Sequence, residues 1–141
     1  MNLNEIYTEL IMEHNSDKRN KRKLAHASIS KRGYNPSCGD DISLEVEFAE
    51  GVIKDVAYMG SGCAISQAST SIMIDLIKGK TRAETIDLVN TFIGMIKREI
   101  TDEEALEVLE EAIALQNISN MPARVKCAVL AWHTLKDIVE E

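Results

Sequence analysis

Nowhere does this chain string together the roughly 18 apolar residues that a membrane-spanning helix needs, so no membrane helix is expected. Its opening residues, Met1-Asn2-Leu3-Asn4-Glu5, lack the basic region and apolar stretch of a secretory signal, which predicts cytoplasmic residence. Positive charge is also scarce. Sixteen Lys and Arg stand against 23 Asp and Glu, a formal charge of −7. No nucleic-acid partner is expected, because phosphate binding needs clustered cations. No Ser-His-Asp pattern and no nucleotide-binding Gly-rich loop is evident. There is no internal repeat, low-complexity segment or domain boundary, so residues 1–141 read as a single domain. That length can bury about two-thirds of the unfolded chain's surface. Cysteine is scarce and odd in number at three, so the thiols cannot all pair within the chain. A reducing cytosol argues against disulfides in any case.

What is present is an alternation of helical and extended patterns. Leu3, Ile6, Tyr7, Leu10 and Ile11 recur at helical spacing, predicting a helix from Leu3 to His14. The basic run Lys18-Arg19-Asn20-Lys21-Arg22-Lys23 reads as a solvated connection, with a docking strip for an acidic partner as the alternative. Ala27 to Lys31 suggests a short strand, followed by a loop from Gly33 to Asp41. Ile42, Leu44, Val46 and Phe48 alternate with polar residues, the period of a half-buried strand. A turn at Ala49-Glu50-Gly51 leads into a second strand, Val52 to Met59. Helices are expected from Ala64 to Lys78, after the capping box Thr81-Arg82-Ala83-Glu84, and after a similar box at Thr101-Asp102-Glu103-Glu104. Asn117 to Asn120 reads as a loop. Pro122 suits the first turn of a last helix with the stripe Val125, Ala128, Val129, Trp132, Leu135 and Val139. The fold class is therefore α+β: a small antiparallel sheet of three strands packed against helices on one face.

The three cysteines stand in Asn35-Pro36-Ser37-Cys38-Gly39-Asp40, Gly60-Ser61-Gly62-Cys63 and Arg124-Val125-Lys126-Cys127. Each alone is more often a buried apolar residue than a functional one. A hairpin, however, brings the Cys38 loop and the Cys63 loop to one sheet end. With Asp40, the set offers three thiolates and one carboxylate, the number and kind that close a tetrahedral metal site. Such sites suit zinc or an iron–sulfur cluster. Cys63 lies at a strand-to-helix junction, where the helix dipole favours thiolate. Arg124, three residues before Cys127, shares its helix face and places a guanidinium near sulfur. His14 and His133 read as surface or hydrogen-bonded helix residues, and His26 carries no clear role.

These segments resemble the U-type iron–sulfur assembly family. The resemblance rests on Asn35 to Asp40, Gly60 to Ser66 and Pro122 to Trp132, with Tyr7, Ile11, His14, Arg19 and Asn20 similar to the family's opening helix and turn. It covers nearly the whole chain. Within the family the chain is similar to the SufU branch. IscU-type scaffolds carry a histidine directly before the third cysteine, where Lys126 stands here. They also carry a double-proline chaperone motif, where this chain reads Asn120-Met121-Pro122-Ala123-Arg124. Cys63 and Cys127 stand 64 positions apart, a gap similar to SufU, and SufU-like proteins have an arginine at the place of Arg124. Lys18 stands where the family often has a proline.

The resemblance implies a zinc-dependent sulfurtransferase. Cys38, Asp40, Cys63 and Cys127 would hold zinc, Cys38 would accept persulfide sulfur from a SufS-like cysteine desulfurase, and Arg124 would steady the developing negative sulfur. The sulfur would pass toward SufBCD-like cluster-building machinery. Two other readings compete: a scaffold that assembles an iron–sulfur cluster on the same ligands, and a non-catalytic zinc-stabilised interaction domain.

Overall fold

The computed structural model describes residues 3–141, with side chains from Glu5 onward. Met1 and Asn2, part of the opening segment read above, lie outside the described residues, as does the side chain of Leu3. Helix α1 spans Leu3–Ser16, two residues longer than predicted. Three strands follow, β1 (Ile29–Asn35), β2 (Asp40–Ala49) and β3 (Val52–Ser61). They pair antiparallel in the order β1-β2-β3. Then come α2 (Ala64–Ile77), α3 (Arg82–Ile96), the short α4 (Glu103–Leu106) and α5 (Pro122–Val139).

The register follows from the alternation in β2. Ile42, Leu44 and Val46 are fully buried while Ser43, Glu45 and Glu47 face partly outward. A one-residue slip would turn the whole apolar set to solvent, so the pairing is strongly fixed. Asn35 sits opposite Asp40, and Asp41 opposite Ser61. β1 begins later than predicted and runs on through Gly33 to Asn35, and β2 begins at Asp40. The predicted Gly33-to-Asp41 loop therefore shrinks to the four residues 36–39. Pairing with β2, invisible in the local composition of this segment, recruits its flanks into the sheet.

α2 and α5 cover one face of the sheet, with α1 and α3 packed around them. Trp132 of α5 is fully buried and stacks on Phe92 of α3, with ring centroids 3.8 Å apart. Its indole N–H donates to Ser69 Oγ of α2 at 2.9 Å, and that hydroxyl donates to the Ala128 carbonyl at 2.6 Å. One side chain thus ties three helices and leaves no polar atom of its own unmet. Thr81 caps α3 with Glu84 in the reciprocal box that the sequence predicted.

The second predicted box differs. Asp102, not Thr101, caps α4, which lasts only four residues. Glu107–Asn120 continues in tight 3-10 turns, broken at Glu110, whose φ is 51° and ψ −126°. The predicted loop from Asn117 to Asn120 belongs to this stretch. Nothing in the propensity of glutamate announces a positive φ, which costs a non-glycine residue roughly 1–3 kcal/mol.

The basic run becomes neither a free strip nor a merely solvated link. Lys21 lies beside Tyr58 along the outer edge of β3, and the Tyr58 N–H donates to the Asn20 carbonyl at 3.0 Å. The segment thereby covers a sheet edge that would otherwise offer unpaired backbone groups. Arg22 forms a two-pronged contact with Asp55 at 2.8 and 2.9 Å. Arg19 reaches Asp75 of α2 at 2.6 Å, and Asn20 reaches the same carboxylate at 3.0 Å.

Asp75 reports on this anchoring. Burial works against its charge, but the hydrogen bonds from Arg19 and Asn20 outweigh that cost and hold it below the usual carboxylate range. A depressed folded-state value gives stability that is complete above the unfolded range near ~4 and is lost as pH falls through the folded value. Asp75→Ala should therefore cost roughly 1–2 kcal/mol at neutral pH, discounted for partial exposure. The cost should shrink on acidification below about pH 4. Urea melts of both proteins at pH 7 and pH 3.5 measure this. An equal cost at both pH values would show that Asp75 contributes through packing and not through charge.

Candidate metal centre

Strand parity places the first ligand candidate. Asp40 is the first residue of β2 and shares the inward face of Ile42, Leu44 and Val46, so its carboxylate has no exposed surface. Oδ1 accepts the Cys63 N–H at 2.9 Å. Oδ2 makes no hydrogen bond. The approach of the two loops requires Gly62, because a Cβ there would stand 2.7 Å from Asp40 Oδ1 and 3.1 Å from Ser66 Oγ. Close approach, not a tight turn, is the reason for this glycine.

Cys38 lies on the turn between β1 and β2, half-buried. Its neighbour Gly39 has φ +72°, a conformation that glycine adopts without a steric cost. Cys127, six residues into the buried side of α5, is 1% exposed. Its Sγ stands 3.0 Å from Cys38 Sγ. Cys63 is the residue that caps α2, and its Sγ accepts the Ser66 N–H at 3.4 Å.

Of the four predicted ligands, Cys38, Asp40 and Cys127 bring donor atoms within 4.8 Å of one another. Cys63 stands outside that set. Its sulfur turns to the α2 N-terminus, yet it lies close enough to Cys127 to exchange a hydrogen bond with it.

The site lacks a compensating cation of its own at its centre. Burial pushes the Cys127 thiol up, and Cys38, Asp40 and Cys63 reinforce the shift. Arg124 is exposed at the rim. Its guanidinium is held in the charged form by a hydrogen bond with Cys127 and by the nearby Cys63 and Cys38 sulfurs. Tyr7 of α1 also reaches this neighbourhood. Burial pushes its hydroxyl up, with Arg124 opposing and Cys63 adding to the effect. The sequence placed Tyr7 on a helical stripe and among the residues that carry the resemblance, with no local signal that assigns it to the site.

The donor set fits a thiophilic cation. It combines two adjacent sulfurs, a third sulfur at the neighbouring α2 cap, and a buried carboxylate with an unmet oxygen. A cleft of about 490 Å³, lined by Ser37, Cys38, Pro122, Ala123, Arg124 and Lys126, opens on the Cys38 side. Lys126, exposed beside Arg124, adds a second positive group to its wall.

The histidines lie elsewhere. His14 is buried, and its Nδ1 pairs with Ser71 Oγ at 2.7 Å while Nε2 stands 4.0 Å from Asp75. This places a serine, a histidine and an aspartate together, but Ser71 is 1% exposed and also accepts from Asn20 at 2.9 Å. No substrate reaches it, and the group serves to join α1 to α2. His26 and His133 are exposed.

With this geometry in hand, comparison with known proteins is specific. Residues 6–141 match the family model described as NifU-like N terminal domain. The chain is 38% identical over 136 residues to an iron–sulfur cluster assembly scaffold protein IscU of Thermotoga maritima, covering 96% of this chain and 94% of that one. It is also 38% identical over 136 residues to the zinc-dependent sulfurtransferase SufU of Bacillus subtilis, covering 96% and 90%. The crystal structure of FiSufU from Fervidobacterium islandicum superposes with a TM-score of 0.87 at 38% identity, covering 94% of this chain and 96% of that one. The α+β arrangement of sheet and helices is thus the fold of these relatives, and the chain belongs to the NifU-like N-terminal domain family, the IscU/SufU group of iron–sulfur cluster assembly proteins.

Proposed function

We propose that the chain is a zinc-dependent sulfur carrier of the SufU kind, taking persulfide sulfur on Cys38 from a cysteine desulfurase and passing it toward cluster assembly. The observation that carries this reading is the uneven anchoring of the thiols around Asp40, of which Cys38 and Cys63 are both half-buried and Cys127 is buried. Cys127 is closed in the core, Cys63 is fixed at the α2 cap, and Cys38 sits half-buried on a glycine-bounded turn at the mouth of a cleft. One ligand is built to leave while three stay.

Asp40, Cys63, Cys127 and Cys38 would hold the metal. Bound zinc supplies a Lewis acid that keeps coordinated cysteine in the thiolate form at neutral pH. Asp40 gains a partner for its orphaned oxygen. The turn at 36–39 lets Cys38 swing outward, and its sulfur, as thiolate, attacks the outer sulfur of the donor's persulfide; the donor's S–S bond breaks, Cys38 keeps the outer sulfur as a persulfide, and the donor cysteine leaves as thiolate. Arg124, within charge range of all three sulfurs, stabilises the anion that forms, and Lys126 adds to the positive wall that an anionic persulfide meets. A basic neighbour to Cys127 in place of histidine favours this reading over a cluster scaffold.

The scaffold reading keeps support from the Thermotoga relative's description and from the same ligand set. Protein purified without air discriminates between them. Colourless chain with about one zinc supports the sulfur carrier, whereas a brown chromophore with stoichiometric iron supports the scaffold.

Metal removal gives the first test. Chelation should lower the melting temperature by more than about 5 °C, because metal binding adds to folding free energy. Asp40→Ala should weaken zinc binding by at least roughly 10- to 100-fold. In the metal-free state it should cost little, since only one of the two buried carboxylate oxygens has a hydrogen-bond partner to lose. Competition titration with a chromogenic chelator, paired with melting of both forms, reads the two effects. A variant equally destabilised with and without metal would contradict a ligand role.

The second test separates transfer from binding. Cys38→Ser should abolish stimulation of a cognate cysteine desulfurase while the fold persists. Arg124→Ala should retain zinc and slow transfer on the order of tenfold, less than a buried oxyanion donor because the guanidinium is exposed. Alanine release by the desulfurase, with and without each variant, measures both. An absence of stimulation by the unsubstituted chain at saturation would remove the carrier reading.

A further inference from the structure

Cys127 and Cys38 place their sulfurs in direct contact. The two sulfurs lie 3.0 Å apart, inside ordinary sulfur contact, with no group between them. Cys63 is differently engaged, since its sulfur accepts the Ser66 N–H and lies outside the cluster of donor atoms within 4.8 Å. Cys38 opens on the cleft while Cys127 is 1% exposed, so a solvent thiol reaches the first but not the second. The geometry is that of an exposed acceptor backed by a buried second thiol.

We propose that in the metal-free chain Cys127 discharges a persulfide held on Cys38. The inference rests on the reading of Cys38 as sulfur acceptor. Cys127 Sγ attacks Cys38 Sγ, the inner sulfur of the persulfide. The bond between Cys38 Sγ and the outer sulfur breaks, and a Cys38–Cys127 disulfide forms. The outer sulfur leaves with the bonding electron pair and takes up the Cys127 proton, departing as hydrogen sulfide. The Cys127 sulfur is oxidised and the outer sulfur reduced, so no external oxidant enters. Arg124, hydrogen-bonded to Cys127 and within charge range of Cys38, stabilises the departing anion. Proximity makes the attack intramolecular, an advantage over any free thiol at cellular concentration. When Cys127 is engaged as a metal ligand the attack is blocked and the cargo is kept. Metal occupancy then decides whether sulfur is carried or released.

The experiment uses the full chain, reduced, stripped of metal and exposed to inorganic polysulfide as the sulfane-sulfur donor. After alkylation, peptide mass analysis locates added sulfur and disulfides, and a sulfide probe measures release. The metal-free chain should release about one sulfide per chain and yield the Cys38–Cys127 disulfide. Cys127→Ala should instead accumulate persulfide on Cys38 with a lifetime longer by roughly tenfold or more. Zinc-loaded chain should retain the persulfide. The disulfide map of the unsubstituted chain stands independently of whether the variant folds. Persulfide on Cys38 that is equally long-lived with and without Cys127, and no Cys38–Cys127 disulfide, overturns the inference while leaving Cys38 as acceptor. Sulfur found on Cys63 or Cys127 but never on Cys38 removes both.

Discussion

A carboxylate with no exposed surface governs the architecture around it. Asp40 is carried inward by the same two-residue period that buries Ile42, Leu44 and Val46, so its burial is a consequence of strand register. Removing a carboxylate from water costs several kcal/mol unless it is compensated. One backbone N–H, from Cys63, meets one oxygen, and the other oxygen meets none. Thiols surround it and add no positive charge. The sheet end thus gathers a half-satisfied buried carboxylate and neighbouring thiols at one point, where two loops and a helix start converge.

Rigidity around this point is uneven, and the unevenness has structural causes. Cys127 belongs to the helix that Trp132 locks against Phe92 and Ser69, four to five residues along the same buried face. Cys63 is fixed by the α2 cap and by its N–H bond to Asp40. Cys38 has neither kind of support. Its sulfur is held by the neighbouring Cys127 sulfur and by a long 3.9 Å contact to the Ala123 carbonyl, on a turn of four residues. Such poorly packed segments populate the low-stability end of a native structure and are where ligand exchange is feasible.

The most legible parts of the sequence were those whose signals are local. The alternation of β2, the box at Thr81 and Pro122 at the head of α5 each carry their own structural instruction. The hairpin brings the Cys63 N–H to Asp40 at the head of β2, as strand pairing allows, but the Cys38 sulfur meets Cys127 and not Cys63. What the sequence concealed depends on distant partners. Gly33 to Asn35 looks like loop until β2 pairs with it. The run from Lys18 to Lys23 looks solvated until Asp55 and Asp75 arrive from other elements. Glu110 holds a positive φ that no local preference predicts, and Tyr7 reaches the thiols only through the packing of α1.

The charge pattern sets the direction of approach. An acidic chain repels anions on average, yet the cleft beside Cys38 has Arg124 and Lys126 in its wall. Elsewhere the guanidinium groups of Arg19, Arg22 and Arg32 are consumed by Asp75, Asp55 and Asp41. Arg124 instead leans on sulfur. A local field opposite in sign to the global one concentrates anionic partners at one mouth and discourages them elsewhere.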